Sequence, residues 1–185
     1  MKFKIIKTTI IILEVVLFSL ILSGCKNTEP VVHDPVKHQV VEEINNLAKI
    51  QDFDGITVSV YWREPTAESP APLTAQNLID WTTTKTFTLE GDEIEGRLDL
   101  FDEFTEKDIE IIDGERNINA RFYILIESEE EGKLFDLLMF ENWTNFVLND
   151  TLIKPNEKIV EMILPLLDSD GRFDLRRYIN EQNPF

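Results

Sequence analysis

The sequence predicts an α+β domain: an antiparallel sheet with C-terminal hairpins, packed by several short helices. Three observations carry that expectation. Ile56–Trp62 alternates and is rich in β-branched and aromatic residues, which marks a strand. Ala120–Ile126 is apolar on both faces beyond Arg121, as a central strand is. Finally, Glu129–Gly132 and Asn149–Asp150 supply turns between apolar runs, so the C-terminal half reads as hairpins.

Taken in order, Val36, Val40, Ile44 and Leu47 recur at helical spacing, with Val41 and Ala48 beside them. The turn cluster Gln51–Gly55 ends this helix and leads into the first strand. Glu64 to Pro72 contains three prolines and is a loop. Thr74 is placed to cap a short helix ending near Trp81, with Leu73 and Leu78 as a hydrophobic staple. Lys85–Leu89 alternates and is a strand. A helix is expected from Asp92, with acids in its first turn and a stripe of Ile94, Leu98, Phe101 and Phe104. Ile109–Ile112 is read as a short strand.

Lys133–Phe140 returns as the partner of Ala120–Ile126. Phe146–Leu148 and Thr151–Ile153 flank Asn149–Asp150, whose residue types tolerate positive φ. Pro155–Asn156 opens a helix carrying Ile159, Met162, Ile163 and Leu166, and Pro165 should kink or stop it. Arg172–Gln182 closes the chain as a short helix. No internal repeat is evident.

The N-terminus reads as an address. Lys2, Lys4 and Lys7 form a basic tip, Thr8–Leu22 is mostly apolar, and Leu22-Ser23-Gly24-Cys25 follows. That tetrad resembles the lipobox of bacterial lipoprotein signal peptides, which implies cleavage before Cys25 and a diacylglyceryl group on its thiol. Cys25 is the only cysteine in the chain, which suits an attachment point. A retained membrane helix is the rival reading. A span needs about 20 apolar residues, and this run is shorter, with Glu14 in its middle. An acid at the centre of an inserted helix costs about 2.5–3.5 kcal/mol. The expected organisation is therefore a signal peptide over 1–24, a lipidated tether over 25–35 and one domain over 36–185.

Removal of residues 1–24 leaves 161 residues, enough for one core and without a second cysteine for an internal disulfide. The signal holds three of the 18 basic residues and one of the 35 acids, so 15 face 34 in the remainder, a formal charge near −19. Such a field repels nucleic acid and anionic head groups, and nothing in the pattern resembles a basic stripe. It would attract cationic peptides or divalent ions; a merely solubilising acidic surface is the plainer reading.

Ile118–Tyr123, Leu134–Asp136, Phe146–Asn149 and Ile163–Leu167, with Pro70–Trp81 upstream, resemble an uncharacterised family of small exported or lipid-anchored proteins of Gram-positive bacteria. The similarity covers Leu73 to Leu167. It implies the outer face of a single cytoplasmic membrane and carries no activity or catalytic residue with it.

The chemistry-bearing residues are few. His33 and His38 lie in or beside the expected tether, which leaves the folded part without imidazole and without Ser-His-Asp, Cys-His or His-based zinc sites. Asp168-Ser169-Asp170-Gly171-Arg172-Phe173-Asp174 resembles a calcium loop, but its first and twelfth positions fall on Leu166 and Arg177. A helix stop, a glycine turn and a restart capped by Asp170 or Asp174 explains it better. Asn142-Trp143-Thr144 and Asn149-Asp150-Thr151 match a glycosylation triplet that bacteria seldom use. Trp62 and Trp81 read as core, and Trp143, in a polar turn, is the tryptophan most suited to a sugar-binding face. No catalytic, metal or cofactor residue is assigned, and Cys25 is the one site residue. The expected function is a membrane-tethered, extracytoplasmic acidic module, binding or accessory, whose partner is an envelope protein, peptide or wall ligand. A carboxylate-dependent hydrolase acting on an envelope substrate is the alternative.

Overall fold

The computed structural model describes residues 34–64, 67, 72–115, 119–141 and 143–182. Cys25, His33 and the signal segment lie outside the described residues, as does Asn142. The first helix, α1 (Pro35–Leu47), starts one residue before the Val36 at which the helical spacing begins. Asp34 accepts from the amides of Val36 and Lys37, and Pro35 brings a φ already suited to the first turn. Val40, Val41, Ile44 and Leu47 form its buried stripe.

The sheet contains β1 (Ile56–Trp62), β2 (Lys85–Glu90), β3 (Ala120–Ser128), β4 (Gly132–Phe140), β5 (Phe146–Leu148) and β6 (Thr151–Ile153). Their spatial order is β2-β1-β3-β4-β5-β6, antiparallel at every pairing. The α+β expectation holds. Thr57 to Trp62 of β1 pair with Glu127 back to Phe122 of β3, so the two best-patterned strands sit side by side in the middle. One face carries Val58, Val60, Trp62, Phe122, Ile124, Phe135 and Leu137, covered by α1, α3 (Glu157–Ile163) and α4 (Ser169–Gln182). The other face carries Tyr123, Phe140 and Val147, covered by Leu73 and by Leu78 of α2 (Ala75–Asp80). Burial on both faces explains why β3 lacks the polar alternation of a surface strand.

Several local signals act as expected. Thr74 and Asn77 form a reciprocal capping box at α2. Asn149 and Asp150 adopt φ 43° and 64°, the two positive values a two-residue hairpin turn of the primed kind requires. Gly132 reaches φ 77° at the start of β4, where a side chain would be strained. Pro165 ends α3 at Ile163, and the chain passes into a 3₁₀ turn at Leu164–Leu166.

Others do not. The helix expected from Asp92 is a pair of 3₁₀ turns, Gly91–Ile94 and Asp99–Phe101. Gly96, at φ 72°, breaks the helical path between them. The apolar stripe survives, with Ile94, Leu98, Phe101 and Phe104 all buried. Ile109–Ile112 makes one bridge, Ile111 to Ile153, rather than a strand. α4 starts at Ser169, earlier than expected, because Asp168 caps it by accepting from the Gly171 amide at 2.7 Å. Gly171 is thus a first-turn helical residue and not a glycine turn.

Candidate functional site

A cleft of about 800 Å³ opens at one end of the sheet, between the second half of α1, the β3–β4 turn and the β5–β6 turn. Glu43, Asp52, Glu131, Lys133, Asn149 and Asp150 are among its lining residues. The turn geometry builds it. With Asn149 in the left-handed region, its Oδ1 accepts from the Asp136 amide at 2.9 Å while its own amide donates to the Asp136 carbonyl at 3.0 Å. Its Nδ2 then donates to Glu43 Oε2 at 2.9 Å, which ties the hairpin to α1.

Lys133 stands between two carboxylates, 3.0 Å from Asp136 Oδ1 and 3.0 Å from Asp150 Oδ2. Burial pulls its ammonium down, but the hydrogen bonds to Asp150 and Asp136 prevail and hold it above its ordinary value. Asp136 also accepts from the Tyr123 hydroxyl at 3.4 Å. Burial, together with the Asp136 charge, raises the Tyr123 phenol well above its usual range. Lys133 in the cleft and Tyr123, which reaches Asp136 from the other face of the sheet, are thereby both pushed away from neutrality, the opposite of what a general acid or base needs. The floor is a closed network, and the open edge presents acceptor carboxylates and amides. Such a surface suits a cationic or donor-rich ligand.

The other buried charges do structural work. Asp174 Oδ2 accepts from Trp62 Nε1 at 3.0 Å and from Lys85 Nζ at 3.0 Å, joining α4 to β1 and β2. Arg121 reaches the Ala67 carbonyl at 2.6 Å and Glu141 Oε1 at 2.9 Å. Arg63 lies with its guanidinium carbon 5.6 Å from the centre of the Trp81 ring. Burial and the neighbouring Arg121 charge draw Arg63 below its ordinary value.

The residues singled out in the sequence fall into different places. Cys25 and His33 lie outside the described residues. His38 corrects the expectation of a fold without imidazole: it sits on α1, its Nδ1 3.0 Å from Glu106 Oε1. The helix read from Val36 already contains position 38, so His38 belongs to the domain and not to the tether beside it. The calcium-like carboxylates part company, since Asp168 caps α4, Asp170 is exposed and Asp174 is spent on Trp62 and Lys85. Trp143 is not a surface aromatic. Its φ of 51° turns the ring inward, 4% exposed, against Phe146 at 5.1 Å and Tyr178 at 5.6 Å. Trp62 is core as expected, whereas Trp81 is half-buried.

Sequence reasoning missed Glu43 and Lys133, because each is an ordinary surface charge in its own element. The signal nearest to hand was Asn149, whose turn could have directed attention to whatever stands opposite it. It also missed a cationic corner where Arg97 meets Arg172 and Arg176 of α4. Three of the chain's arginines fall within residues 172–177, a clustering visible in the sequence. No family model, curated protein or solved structure matches this chain.

Proposed function

We propose that this protein is a lipid-anchored extracytoplasmic module that binds its ligand in the polar cleft and does not turn it over. The lipobox-like Leu22–Cys25 supports the anchor, and the resemblance to small exported proteins supports the outer face of a membrane. The observation that carries binding is the cleft itself: acids and amides at its rim, with Lys133 already held by Asp136 and Asp150 on its floor. A ligand bearing amines, such as a cationic peptide or an amine-bearing wall fragment, meets complementary charge there. The acidic character of the chain adds a long-range attraction for the same ligands.

Calorimetry with oligolysine is the test. Binding should weaken steeply between about 0.05 and 0.5 M salt. Glu43→Gln with Asp52→Asn should reduce affinity by roughly tenfold, a loss typical of two charges partly screened by water. Wall fragments, glycosides, peptides and phosphoesters should pass unchanged. Turnover abolished by one carboxylate-to-amide change, with folding intact, would establish the carboxylate hydrolase instead.

A further inference from the structure

The cationic corner is out of keeping with the rest of the molecule. Arg97, Arg172 and Arg176 line an open groove of about 610 Å³ with Leu100, Leu164 and Pro165 beside them, and Glu161 is the one acid there. The chain carries 35 acids, yet none of these three guanidiniums pairs with a carboxylate among the described residues. Arg97 instead donates to the carbonyls of Glu93 at 2.7 Å and Pro165 at 2.8 Å, and Arg172 to that of Leu167 at 2.9 Å. Those bonds orient the guanidiniums while leaving Nη2 of Arg97, both Nη atoms of Arg172 and the whole Arg176 fork unspent. Such forks match the oxygens of a phosphate. Asp168 already takes the Gly171 amide at the start of α4, and the groove is lined by the guanidiniums, so an anion there would be met by side chains.

Phe173 gives the corner its second property. It is 66% exposed, and it lies on α4 three residues before Arg176, hence on the neighbouring surface of the helix. An exposed aromatic beside unpaired arginines is the pattern of a surface that rests on a bilayer, ring in the head-group boundary and cations on the phosphates.

We infer that the Arg97–Arg172–Arg176 corner, with Phe173, docks the domain onto the anionic phospholipid head groups of the membrane that anchors it. The inference rests on the anchor proposed above. A tether from Cys25 to Pro35 can reach at most about 35 Å, so the domain stays within one diameter of the lipid and the corner is held at high local concentration. The acidic remainder of the surface is repelled by the same head groups, which leaves this corner to face them.

The experiment uses the lipid-bearing protein with Phe173→Cys, labelled with a fluorophore and reconstituted in vesicles containing brominated lipid. With Cys25 acylated, position 173 holds the one free thiol. Quenching should be strong in vesicles with about 30% phosphatidylglycerol and weak in pure phosphatidylcholine, and it should fade at high salt. Arg172→Gln with Arg176→Gln should weaken docking by roughly 25-fold, fivefold for each arginine at an anionic surface. A label at Glu131→Cys should stay unquenched in both vesicles. Equal quenching in the two lipids, or quenching at 131 to match that at 173, overturns the docking. Failure of the anchor reads out separately as protein that does not float with vesicles. In that case the unacylated chain, labelled at 173 in a Cys25→Ser background and added to the same vesicles, tests the corner alone: lipid-selective quenching supports it and none refutes it.

Discussion

Asp174 shows how a single side chain can hold three elements together. Its carboxylate is nine-tenths buried, and the Trp62 indole and the Lys85 ammonium both donate to the same oxygen. The two ends of the pair are not equivalent. Lys85→Met strands a buried carboxylate with one neutral donor, whereas Asp174→Asn leaves a half-exposed lysine that still has Glu64 at 3.0 Å. Removing the partner of a buried charge costs about 3–5 kcal/mol, against about 1–3 kcal/mol for a weakened hydrogen bond. Urea unfolding should therefore show Lys85→Met to be the more damaging change, and the reverse order would mean that Asp174 is better solvated than its burial implies. Alkali should act here too. Hydrogen bonds to Asp174 and Glu64 raise Lys85 above its usual value, and burial with the Asp136 charge raises Tyr123. Each group holds its proton more tightly folded than unfolded, so its contribution is complete below the unfolded pKa of about 10 and disappears as pH climbs through the folded one. Thermal unfolding should be flat from neutrality to about pH 9.5 and fall steeply above it, and Tyr123→Phe should soften that fall.

Among the elements, the β5–β6 turn is the one where local chemistry and tertiary structure meet. Asn149 and Asp150 are legible as a hairpin because they tolerate positive φ, and that preference acts within four residues. What the sequence does not say is that the same Asn149 side chain reaches Glu43, 106 residues away. Asn149→Ala should cost about 1–3 kcal/mol, from strain in the left-handed region and two lost hydrogen bonds. Asn149→Gly relieves the strain but not the lost bonds, and should recover part of the difference in denaturant midpoint. If both variants unfold at the wild-type midpoint, the turn does not brace the cleft. Gly96 teaches the complementary lesson. The stripe Ile94, Leu98, Phe101 and Phe104 has helical spacing and all four residues are buried, yet the path between them is a pair of 3₁₀ turns. Periodicity reports which side faces the core and is nearly blind to how tightly the backbone is wound, since i+3 and i+4 neighbours share that face.

At the scale of the whole molecule, an acidic chain carries one cationic corner and one acid-rimmed cleft, and the lipid tether proposed for it would bring a bilayer within reach of the corner. The two surfaces, opposite in charge, would take the opposite partners proposed for them, a phosphate-bearing bilayer and an amine-bearing ligand. The anchor is the first thing to measure. Palmitate supplied to growing cells should label the wild type and leave Cys25→Ala unlabelled, and equal labelling of both would remove the lipid from this account. A lipobox-like pattern is open to reading in a sequence because export signals act as unfolded segments, where sequence alone is what is presented.

The same distinction runs through the fold. The sequence by itself determined the six strands of the sheet, though it also expected one at Ile109–Ile112 that is a single bridge. With them came the Thr74 cap, the helix start at Pro155–Asn156, the stop at Pro165 and the hairpin turn, because propensity, capping and φ preference act between residues a few positions apart. It also determined the α+β class, through an apolar β3 that only a central position could bury. Tertiary structure alone decided the rest. It gave His38 a partner in Glu106, turned Trp143 into the core, drew Asp174 from a supposed calcium loop to a tryptophan 112 residues distant, and gathered the cleft and the arginine corner from charges that look alike in the chain. A surface charge carries no periodicity of its own. Which charges converge is set by how the apolar faces pack, and the sheet order that fixes this is built from contacts far apart in sequence.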